Sequence, residues 1–385
     1  MEKINILTSI NKEYISHMGA MFTSVLENSS NIENICLGII HSELVDDEQK
    51  EINNFFKEKY EVSIDFYKVD ENEFSDLPII AEHLQIETYF RLAIPKIVSE
   101  EINKVIYLDS DMIIRNDISN LWNTDVENCI VGAVINPLND GNTYLYKGLG
   151  LNNSSDYFNA GVLLINLKEW RRREFNKEIN NFIEKNQGSI IYADQDALNG
   201  AINGSWKRID ERWNMTNNLL DIDLEFQYQL SRTLKEITEN PYIVHFTGRS
   251  KPWHLFCWHP FKEEYKKYAK LTPWNKNQLE SSNNRNSKEI IVFGTGKAGE
   301  ELSKHLAIQG YDISYYLDND ISKKGSEFMG KLIYLPNYIL NNFSNERMLI
   351  IVASQYYDEI SKQLNEMGLE ENNDYYSINN LELIK

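Results

Sequence analysis

Two aspartates interrupt a strongly apolar stretch, VIYLDSDMII, which places Asp109 and Asp111 between apolar residues. Burying an unpaired carboxylate is costly, so this pattern demands a partner for both acids. Side chains at positions i and i+2 project to the same side of an extended chain. The two carboxylates could therefore converge on one hard cation such as Mn²⁺ or Mg²⁺. The alternative interpretation is a strand end that is capped by an aspartate-rich turn.

A second polar segment, HFTGRSKPWH, follows the apolar run YIV and begins with His245. Gly248 would let the backbone approach a ligand closely, since glycine adopts conformations that other residues avoid. Lys251 could neutralise phosphate charge, and the imidazole could complete the coordination sphere of a metal ion that holds a diphosphate. Alternatively, His245 is a hydrogen-bonded residue of the core.

Three further segments carry polar side chains next to apolar runs. The triplet Asn-Ala-Gly at 159–161 precedes an apolar run, which predicts a small turn at the entrance of a strand. The triplet Asp-Gln-Asp at 194–196 opens a predicted helix, where acids are also common as simple caps. Arg91 follows an aromatic pair on a predicted helix, and it could pair with an acid or extend to solvent.

Short apolar runs alternate with amphipathic segments through the first 275 residues. This alternation predicts an α/β domain with a mostly parallel sheet. Ligands of such sheets bind outside the carboxyl ends of the strands, so the strand ends are where a site is expected. The predicted strands are residues 4–10, 36–41, 62–69, 104–111 and 129–135, and the predicted helices are residues 14–26 and 46–60.

The composition excludes several classes of protein. A chain of 385 residues with 42% hydrophobic and 25% charged residues is globular, and its length suggests two or three domains. The net charge of −19, from 39 basic and 58 acidic residues, argues against a nucleic-acid partner. An anionic ligand would need a local cation or a metal ion, because the field of the whole chain repels it.

The cysteines and the hydropathy pattern predict a cytoplasmic protein. The three cysteines are widely separated, with no CxxC spacing, which is typical of a reducing compartment rather than of a disulfide framework or a zinc site. The sequence shows no apolar stretch of signal-peptide length at its start and no run of 18 apolar residues. The chain also has no basic tail, so any peripheral association with the inner membrane face would need a partner.

A polar segment rich in Asn and Ser separates two domains. Residues 276–288 offer almost nothing to bury, which predicts an exposed linker between a domain at 1–275 and a second at 289–385. The second domain starts with EIIVFGTGKAG, a strand followed by the GxGxxG pattern and a helix. Such glycines let a helix N-terminus hold a phosphate, and Asp318 lies about 20 residues further on, where these folds place a ribose-binding acid.

The second domain is similar to small Rossmann-like domains found on sugar-nucleotide acyltransferases and some bacterial glycosyltransferases. Three interpretations stay open for it: self-association, as in a homodimer, binding of a nucleotide or nucleotide-sugar, and redox use of a nicotinamide. The candidate nucleotide-binding residues are Gly294, Gly296, Gly299 and Asp318. No accompanying catalytic constellation is visible in the sequence to favour oxidoreduction.

The first domain resembles glycosyltransferase family 8, the galactosyl- and glucosyltransferases with the GT-A fold, over nearly all of residues 1–260. The segments that carry the resemblance are INILTSINKEY, TYFRL, YLDSD, YFNAGVLLINLKEWR, DQDALNG and HFTGRSKPWH. The resemblance implies transfer of galactose or glucose from a UDP-sugar, with retention of anomeric configuration. The acceptor would be a saccharide or glycoprotein in bacterial cell-surface glycan synthesis.

The resemblance also implies roles for individual residues. The implied Mn²⁺ ligands, with Mg²⁺ as the other candidate ion, are Asp109, Asp111 and His245. The implied contacts to the nucleoside diphosphate are Ser9, Asn11, Arg91, Ser110, Gly248 and Lys251. The implied surroundings of the donor sugar are Asn159, Ala160, Gly161, Asp194 and Gln195. Asn11 and Glu13 depart from the family pattern, which often has Asp and Asn at these two positions.

The implied mechanism is a front-face transfer. Gln195 corresponds to the residue whose amide oxygen faces the anomeric carbon, and an amide is a weak nucleophile. The leaving phosphate oxygen would help to deprotonate the acceptor hydroxyl, while Gln195 and Asp194 stabilise the oxocarbenium-like sugar. Double displacement through Gln195 is the alternative mechanism. Alternative functions are a catalytically silent sugar-nucleotide-binding scaffold and an oxidoreductase that uses the second domain.

Overall fold

The computed structural model describes residues 3–75, 77, 86–137, 143–220, 233–248, 251–254, 257, 259–275, 289–308, 310–344 and 347–378. The chain divides into two compact units. The first unit consists of Met1–Gly248 and Glu264–Asn275, and the second of Arg249–Glu263 and Lys276–Lys385. The predicted linker at 276–288 lies outside the described residues.

A mixed sheet forms the centre of the first unit. In the part of the chain that the structure describes, its seven strands have the order β3-β2-β1-β4-β7-β6-β8, and β7 is antiparallel to both of its neighbours. The strands are β1 (Ile4–Ser9), β2 (Ile35–His41), β3 (Ile64–Lys68), β4 (Lys104–Leu108), β6 (Val131–Ile135), β7 (Phe158–Asn166) and β8 (Lys207–Arg208). The other four pairings are parallel, so the predicted mostly parallel α/β sheet is confirmed.

A second, three-stranded sheet of the first unit has the order β5-β10-β9. Its strands are β5 (Met112–Ile114), β9 (Met215–Thr216) and β10 (Ile243–His245). Since β5 begins four residues after β4 ends, the chain passes from the large sheet to the small one through residues 109–111. The aspartate pair therefore lies where the two sheets meet.

Helices cover both faces of the large sheet. The α-helices described between residues 15 and 269 are α1 (Ile15–Glu27), α2 (Asp46–Tyr60), α3 (Ile94–Ile97), α4 (Ser119–Trp122), α5 (Thr143–Gly148), α6 (Leu167–Arg172), α7 (Phe175–Asn186), α8 (Ala193–Ile202), α9 (Leu234–Glu239) and α10 (Lys262–Ala269). Alternate residues along β4 enter two separate cores. Ile106 packs in the core that contains Phe22 and Phe56 of α1 and α2, whereas Val105 packs with Ile179 and Leu198 of α7 and α8.

The second unit has its own parallel sheet. Its strands are β11 (Glu289–Phe293), β12 (Ile313–Leu317), β13 (Glu327–Phe328), β14 (Lys331–Tyr334), β15 (Met348–Val352) and β16 (Tyr375–Ser377), with helices α11 (Lys297–Ile308), α12 (Ile339–Asn342) and α13 (Tyr357–Glu366). The order β14-β12-β11-β15-β16 is all parallel, with β13 added antiparallel at one edge. This strand order reverses at β11, as in doubly wound sheets.

One local prediction was wrong. The triplet at 159–161 lies inside β7 rather than in a turn before it, because β7 begins at Phe158 and pairs with β6 across a register shift. The helix predicted around Arg91 is present as a 3-10 helix (Ile86–Ala93). Among the helices in the described ranges, none has the length and apolar character needed to cross a bilayer.

Candidate active site

Strand pairing brings the predicted metal ligands together. His245 is the last residue of β10, which runs antiparallel to β5 and places His245 opposite Met112. The backbone N–H of Phe246 donates to the carbonyl of Asp111 at 3.0 Å, so the pairing continues one residue into the aspartate segment. Residues more than 130 positions apart thus meet at the junction of the two sheets.

The three side chains form a compact donor cluster. The Nε2 atom of His245 lies 3.2 Å from Oδ1 of Asp111 and 3.8 Å from Oδ2 of Asp109. One donor atom from each residue lies within 4.8 Å of the other two. The imidazole is buried, whereas the carboxylates of Asp109 and Asp111 keep 26% and 13% of their surface exposed. Two carboxylates and one imidazole, open on one side, suit a divalent cation that also binds a ligand.

Gly161 makes this close approach possible. A Cβ atom at this position would lie 2.3 Å from Cε1 of His245 and 2.8 Å from Oδ2 of Asp109. The backbone at Gly161 also fixes the aspartate, since its carbonyl accepts a hydrogen bond from the N–H of Asp109 at 2.8 Å. The cluster therefore needs a residue without a side chain in β7.

A buried arginine lies behind the cluster and holds two acids. The Nη2 atom of Arg91 donates to Oδ1 of Asp109 at 3.0 Å, and its Nε lies 2.8 Å from Oδ2 of Asp194. The guanidinium also donates to the carbonyl of Ala160 and lies over the ring of Tyr107 at 4.4 Å. Burial alone would lower the pKa of Arg91, but the carboxylates of Asp109 and Asp194 outweigh it and raise that pKa overall.

Asp194 is the most deeply buried acid of the predicted site. Its side chain is only 4% exposed, and burial raises its pKa to about 7 even though the guanidinium of Arg91 opposes that shift. A carboxyl group that is this deeply buried and in contact with a buried guanidinium acts as a fixed partner of that arginine. Arg91 thereby links the predicted sugar-binding segment to the predicted metal ligand Asp109.

Hydrogen bonds fix the amide of Gln195 in one orientation. Its Oε1 accepts from the backbone N–H of Ala160 at 3.0 Å, and its Nε2 donates to the hydroxyl of Tyr157 at 2.7 Å. That hydroxyl donates in turn to Oδ1 of Asp196 at 2.6 Å, and the N–H groups of Ile191 and Tyr192 donate to Oδ2 of the same residue. The sequence prediction omitted Tyr157 and assigned Asp196 no role beyond a cap.

The side chain of Asn159 is also engaged. Its Oδ1 accepts from the backbone N–H of Gly161 at 2.9 Å and from Nδ2 of Asn214 at 2.8 Å. Asn214 is fully buried and its Oδ1 lies 2.9 Å from Nδ1 of His245. Sequence analysis missed Asn214, because no motif surrounds it and its partners are 31 and 55 positions away.

The residues predicted to contact the nucleoside lie at the carboxyl end of β1 and nearby. The hydroxyl of Ser9 donates to the carbonyl of Glu87 at 3.1 Å and lies 2.6 Å from the hydroxyl of Tyr107. Oδ1 of Asn11 accepts from the N–H of Tyr14 and so caps a 3-10 turn. Ser110 is buried between the two aspartates.

The two residues predicted to contact the diphosphate fall in different units. Gly248 has a φ of +79°, which favours glycine, and a Cβ placed there would meet nothing within 4 Å. Lys251 falls in the second unit, where its N–H donates to Nδ1 of His254 at 3.2 Å. The predicted contacts of both residues with a diphosphate stay predictions.

Comparison with known proteins identifies the first unit. The family model described as glycosyl transferase family 8 matches residues 5–257, well over half of the chain. The chain belongs to glycosyl transferase family 8. It is therefore a glycosyltransferase, and the resemblance found in the sequence is confirmed.

Similar proteins include two named glycosyltransferases. General stress protein A of Bacillus subtilis is 31% identical over 278 residues, which are 71% of this chain and 96% of that protein. A lipopolysaccharide 1,2-glucosyltransferase of Escherichia coli is 24% identical over 81% of this chain and 88% of its own length. The solved structure of the galactosyltransferase LgtC, with donor and acceptor sugar analogues, has a TM-score of 0.61. It is 24% identical and covers 72% of this chain and 100% of LgtC, which supports the GT-A fold of this family 8 enzyme.

A family model described as C2185-like, N-terminal, matches residues 286–373. The glycine pattern of the second unit forms a tight strand-to-helix turn. Gly294 has a φ of +114°, and a Cβ at Gly299 would lie 2.0 Å from the carbonyl oxygen of Gly294. The carboxylate of Asp318 accepts from the N–H and hydroxyl of Thr295, and it pairs with Nζ of Lys323 at 2.9 Å. The acid predicted for a ribose is thus held by its own domain.

Proposed function

We propose that this family 8 glycosyltransferase moves galactose or glucose from a UDP-sugar to a saccharide or glycoprotein acceptor, with a divalent cation and with retention of configuration. The observation that carries the proposal is the convergence of Asp109, Asp111 and His245 at the junction of the two sheets. Similar proteins include a glucosyltransferase and a galactosyltransferase, which supports a hexose as the transferred group.

The donor set fits a divalent cation. Asp109 and Asp111 supply two charged oxygens, and His245 directs Nε2 toward them while Nδ1 faces Asn214. Gly161 leaves room for the two side chains that would otherwise be displaced. When bound there, Mn²⁺ or Mg²⁺ would act as a Lewis acid that neutralises charge on the departing diphosphate.

The protein itself would position the sugar. Gln195 is half-buried, with its amide held at both ends, so its oxygen has a defined direction before any ligand arrives. Asp194, Asn159 and Gly161 lie within the same hydrogen-bonded framework as Arg91 and Asn214. A preorganised carboxylate and amide stabilise positive charge on an oxocarbenium-like sugar more effectively than mobile groups do.

The leaving diphosphate would complete the reaction. We propose that its oxygen takes the proton of the acceptor hydroxyl on the same face that the acceptor attacks. The bond from the anomeric carbon to the phosphate oxygen breaks as the bond to the acceptor oxygen forms. Gly248 would bind the diphosphate, and Ser9, Asn11 and Ser110 would bind the nucleoside, while the contact of Lys251 with the diphosphate stays a prediction from the sequence.

Release of UDP tests the proposal directly. The wild-type protein is incubated with UDP-galactose or UDP-glucose and Mn²⁺, with and without EDTA, and released UDP is measured. We expect one donor to be turned over and EDTA to abolish the reaction. Asp111→Asn should abolish it as well, whereas Asp47→Asn, which removes an acid whose side chain is 93% exposed on α2, should not.

Failure of every UDP-hexose with either ion, in protein whose fold is intact, would replace this proposal with a silent sugar-nucleotide-binding scaffold. The stereochemical step has its own test in the anomeric configuration of the product, determined by NMR. A glycosyl adduct trapped on Gln195, together with loss of turnover in Gln195→Ala, would show double displacement instead of front-face transfer.

For the rest of the chain, we propose domains at 1–275 and 289–385, with an accessory second domain that mediates homodimer formation. Limited proteolysis of the full chain should cut within 276–288 and yield two resistant fragments, and light scattering should give twice the monomer mass.

We also propose a cytoplasmic location, with membrane association through a partner. The three cysteines support this location, because all are free.

A further inference from the structure

The imidazole of His245 has a buried partner on the side away from the aspartates. Asn214 ends a 3-10 helix (Glu211–Asn214) directly before β9, and β9 runs parallel to β10 with Thr216 beside His245. This register places Asn214 against the back of the imidazole, with Oδ1 2.9 Å from Nδ1. Both side chains are almost completely excluded from solvent, at 0% and 4% exposure, so water does not compete for this contact.

Three hydrogen bonds connect the backbone of Gly161 to the imidazole of His245 through Asn159 and Asn214. The donor and the acceptor of each bond follow from the backbone N–H of Gly161. The N–H of Gly161 can only donate, so the atom of Asn159 that faces it at 2.9 Å must be the oxygen. A second group that contacts this oxygen at 2.8 Å must also donate, so Asn214 presents its Nδ2 to Asn159. Asn214 consequently presents its oxygen to His245, and the imidazole must carry its proton on Nδ1.

The tautomer that results is the one that a metal ligand needs. A neutral imidazole with its proton on Nδ1 has a lone pair on Nε2, and Nε2 is the atom that faces Asp109 and Asp111. Outer partners of this kind commonly orient metal-binding histidines. We propose that Asn214 and Asn159 are positioning residues that hold His245 in its Nδ1–H tautomer and thereby set the affinity of the metal site. The inference rests on the metal site of the proposed function.

The tautomer can be measured without any metal or substrate. Full-length metal-free protein labelled with ¹⁵N-histidine is examined at about pH 8, where an ordinary imidazole is neutral, and long-range ¹H–¹⁵N correlations distinguish the two ring nitrogens. The sequence has seven histidines, so the signal of His245 is assigned from its loss in His245→Gln. We expect the proton on Nδ1. A proton on Nε2 in the wild-type protein overturns the proposal.

The second measurement is the affinity for Mn²⁺ alone, by titration calorimetry. Asn214→Leu keeps the size of the side chain but accepts no hydrogen bond, and we expect about 10- to 100-fold weaker binding. Asn214→Asp still accepts from Nδ1 but no longer donates to Asn159, and we expect a smaller loss of affinity than in Asn214→Leu. Equal affinity in Asn214→Leu, or an equal loss in Asn214→Asp and Asn214→Leu, contradicts the proposal.

A control separates positioning from general stability. Asn166→Ala, at the far end of β7, removes an amide that caps α6, so it should lower the melting temperature and leave Mn²⁺ affinity unchanged. If Asn214→Leu does not fold, the wild-type tautomer decides the question alone. If the wild type binds no Mn²⁺, the proposed function fails, while the tautomer measurement still tests the hydrogen-bond chain.

Discussion

In both units an aspartate directly follows a buried strand, but the carboxylates of the two aspartates have different partners. Asp109 follows β4, and Arg91 holds one of its oxygens while the other lies in the cluster with His245. Asp318 follows β12, and one of its oxygens accepts from Thr295 and pairs with Lys323. The same sequence signal therefore precedes an open donor cluster in one unit and an internal ion pair in the other.

The difference shows what a strand-end acid needs in order to become a site. Position at the carboxyl edge of a sheet is shared by both residues, so position alone does not decide. In the first unit the neighbours are another acid and a histidine whose Nε2 faces the acids. In the second unit the neighbours are a hydroxyl and an ammonium group, which satisfy the carboxylate internally.

The largest effect on activity is expected from Gly161→Ala, which would disturb the donor cluster that distinguishes Asp109 from Asp318. The added methyl would displace His245 and Asp109, since it would lie 2.3 Å and 2.8 Å from their atoms. A displacement of about 1 Å can cost about 100-fold in rate, so we expect at least that loss of Mn²⁺-dependent UDP release. Gly188→Ala, where a Cβ meets nothing within 4 Å, is the control. Full activity in Gly161→Ala would show that the cluster tolerates expansion.

Among effects on stability, the largest is expected from Arg91→Met, measured as the free energy of unfolding in urea. The substitution leaves Asp194, only 4% exposed, and Asp109 without their shared cation. Removing one partner of a buried ion pair typically costs about 3–5 kcal/mol. Arg173→Met breaks a pair that is more than a third exposed and should cost at most about 1 kcal/mol. Equal losses in the two variants would contradict the buried role of Arg91.

A third prediction concerns the packing of the glycine turn in the second unit. Gly299→Ala places a Cβ 2.0 Å from the carbonyl oxygen of Gly294, so α11 must move away from β11. Overpacking of this kind costs about 1–3 kcal/mol, which should appear as faster hydrogen exchange within residues 289–378. UDP release should not change. Gly296→Ala, where the added Cβ meets nothing, is the matched control, and a loss of UDP release in Gly299→Ala would contradict the accessory role.

Much of the framework could be predicted because it depends on local patterns. Helix α2 occupies the predicted residues 46–60, since its apolar positions have helical spacing and acids fill its first turn. The aspartate pair and His245 were found as polar residues at the ends of apolar runs. The triplet at 159–161 was misplaced, because an amide and a glycine favour a turn locally while pairing with β6 extends the strand through them.

The supporting hydrogen bonds could not be predicted in the same way. Asn214 lies in an ordinary segment, ERWNMT, and its importance comes from His245 and Asn159, which strand register alone brings near. Arg91 was expected either to pair with an unnamed acid or to extend to solvent, and the two acids that it contacts are 18 and 103 positions away. Sequence spacing identifies the groups that could do chemistry, and tertiary pairing decides what orients them.

The smallest effect is expected from Asp318→Asn, which removes the charge of the internally paired aspartate in the second unit. Burial would raise the pKa of Asp318, but hydrogen bonds from Thr295, Asp320 and Lys323 outweigh it and lower that pKa overall. A lowered pKa means that the carboxylate stabilises the fold above the ordinary aspartate pKa of about 3.9, and that this contribution is lost as the pH falls further.

Asp318→Asn should therefore cost about 1 kcal/mol at pH 7, measured by hydrogen exchange of the second unit, and progressively less at lower pH. Asp312→Asn removes an acid that pairs with Lys331 but is 84% exposed, and it should show almost no change. A loss that stays constant down to pH 3 would trace the effect to packing rather than to charge. Stabilisation of the wild-type second unit by a nucleotide, abolished in Asp318→Asn, would instead show that this acid can leave its internal partners, and the contrast with Asp109 would then be one of degree.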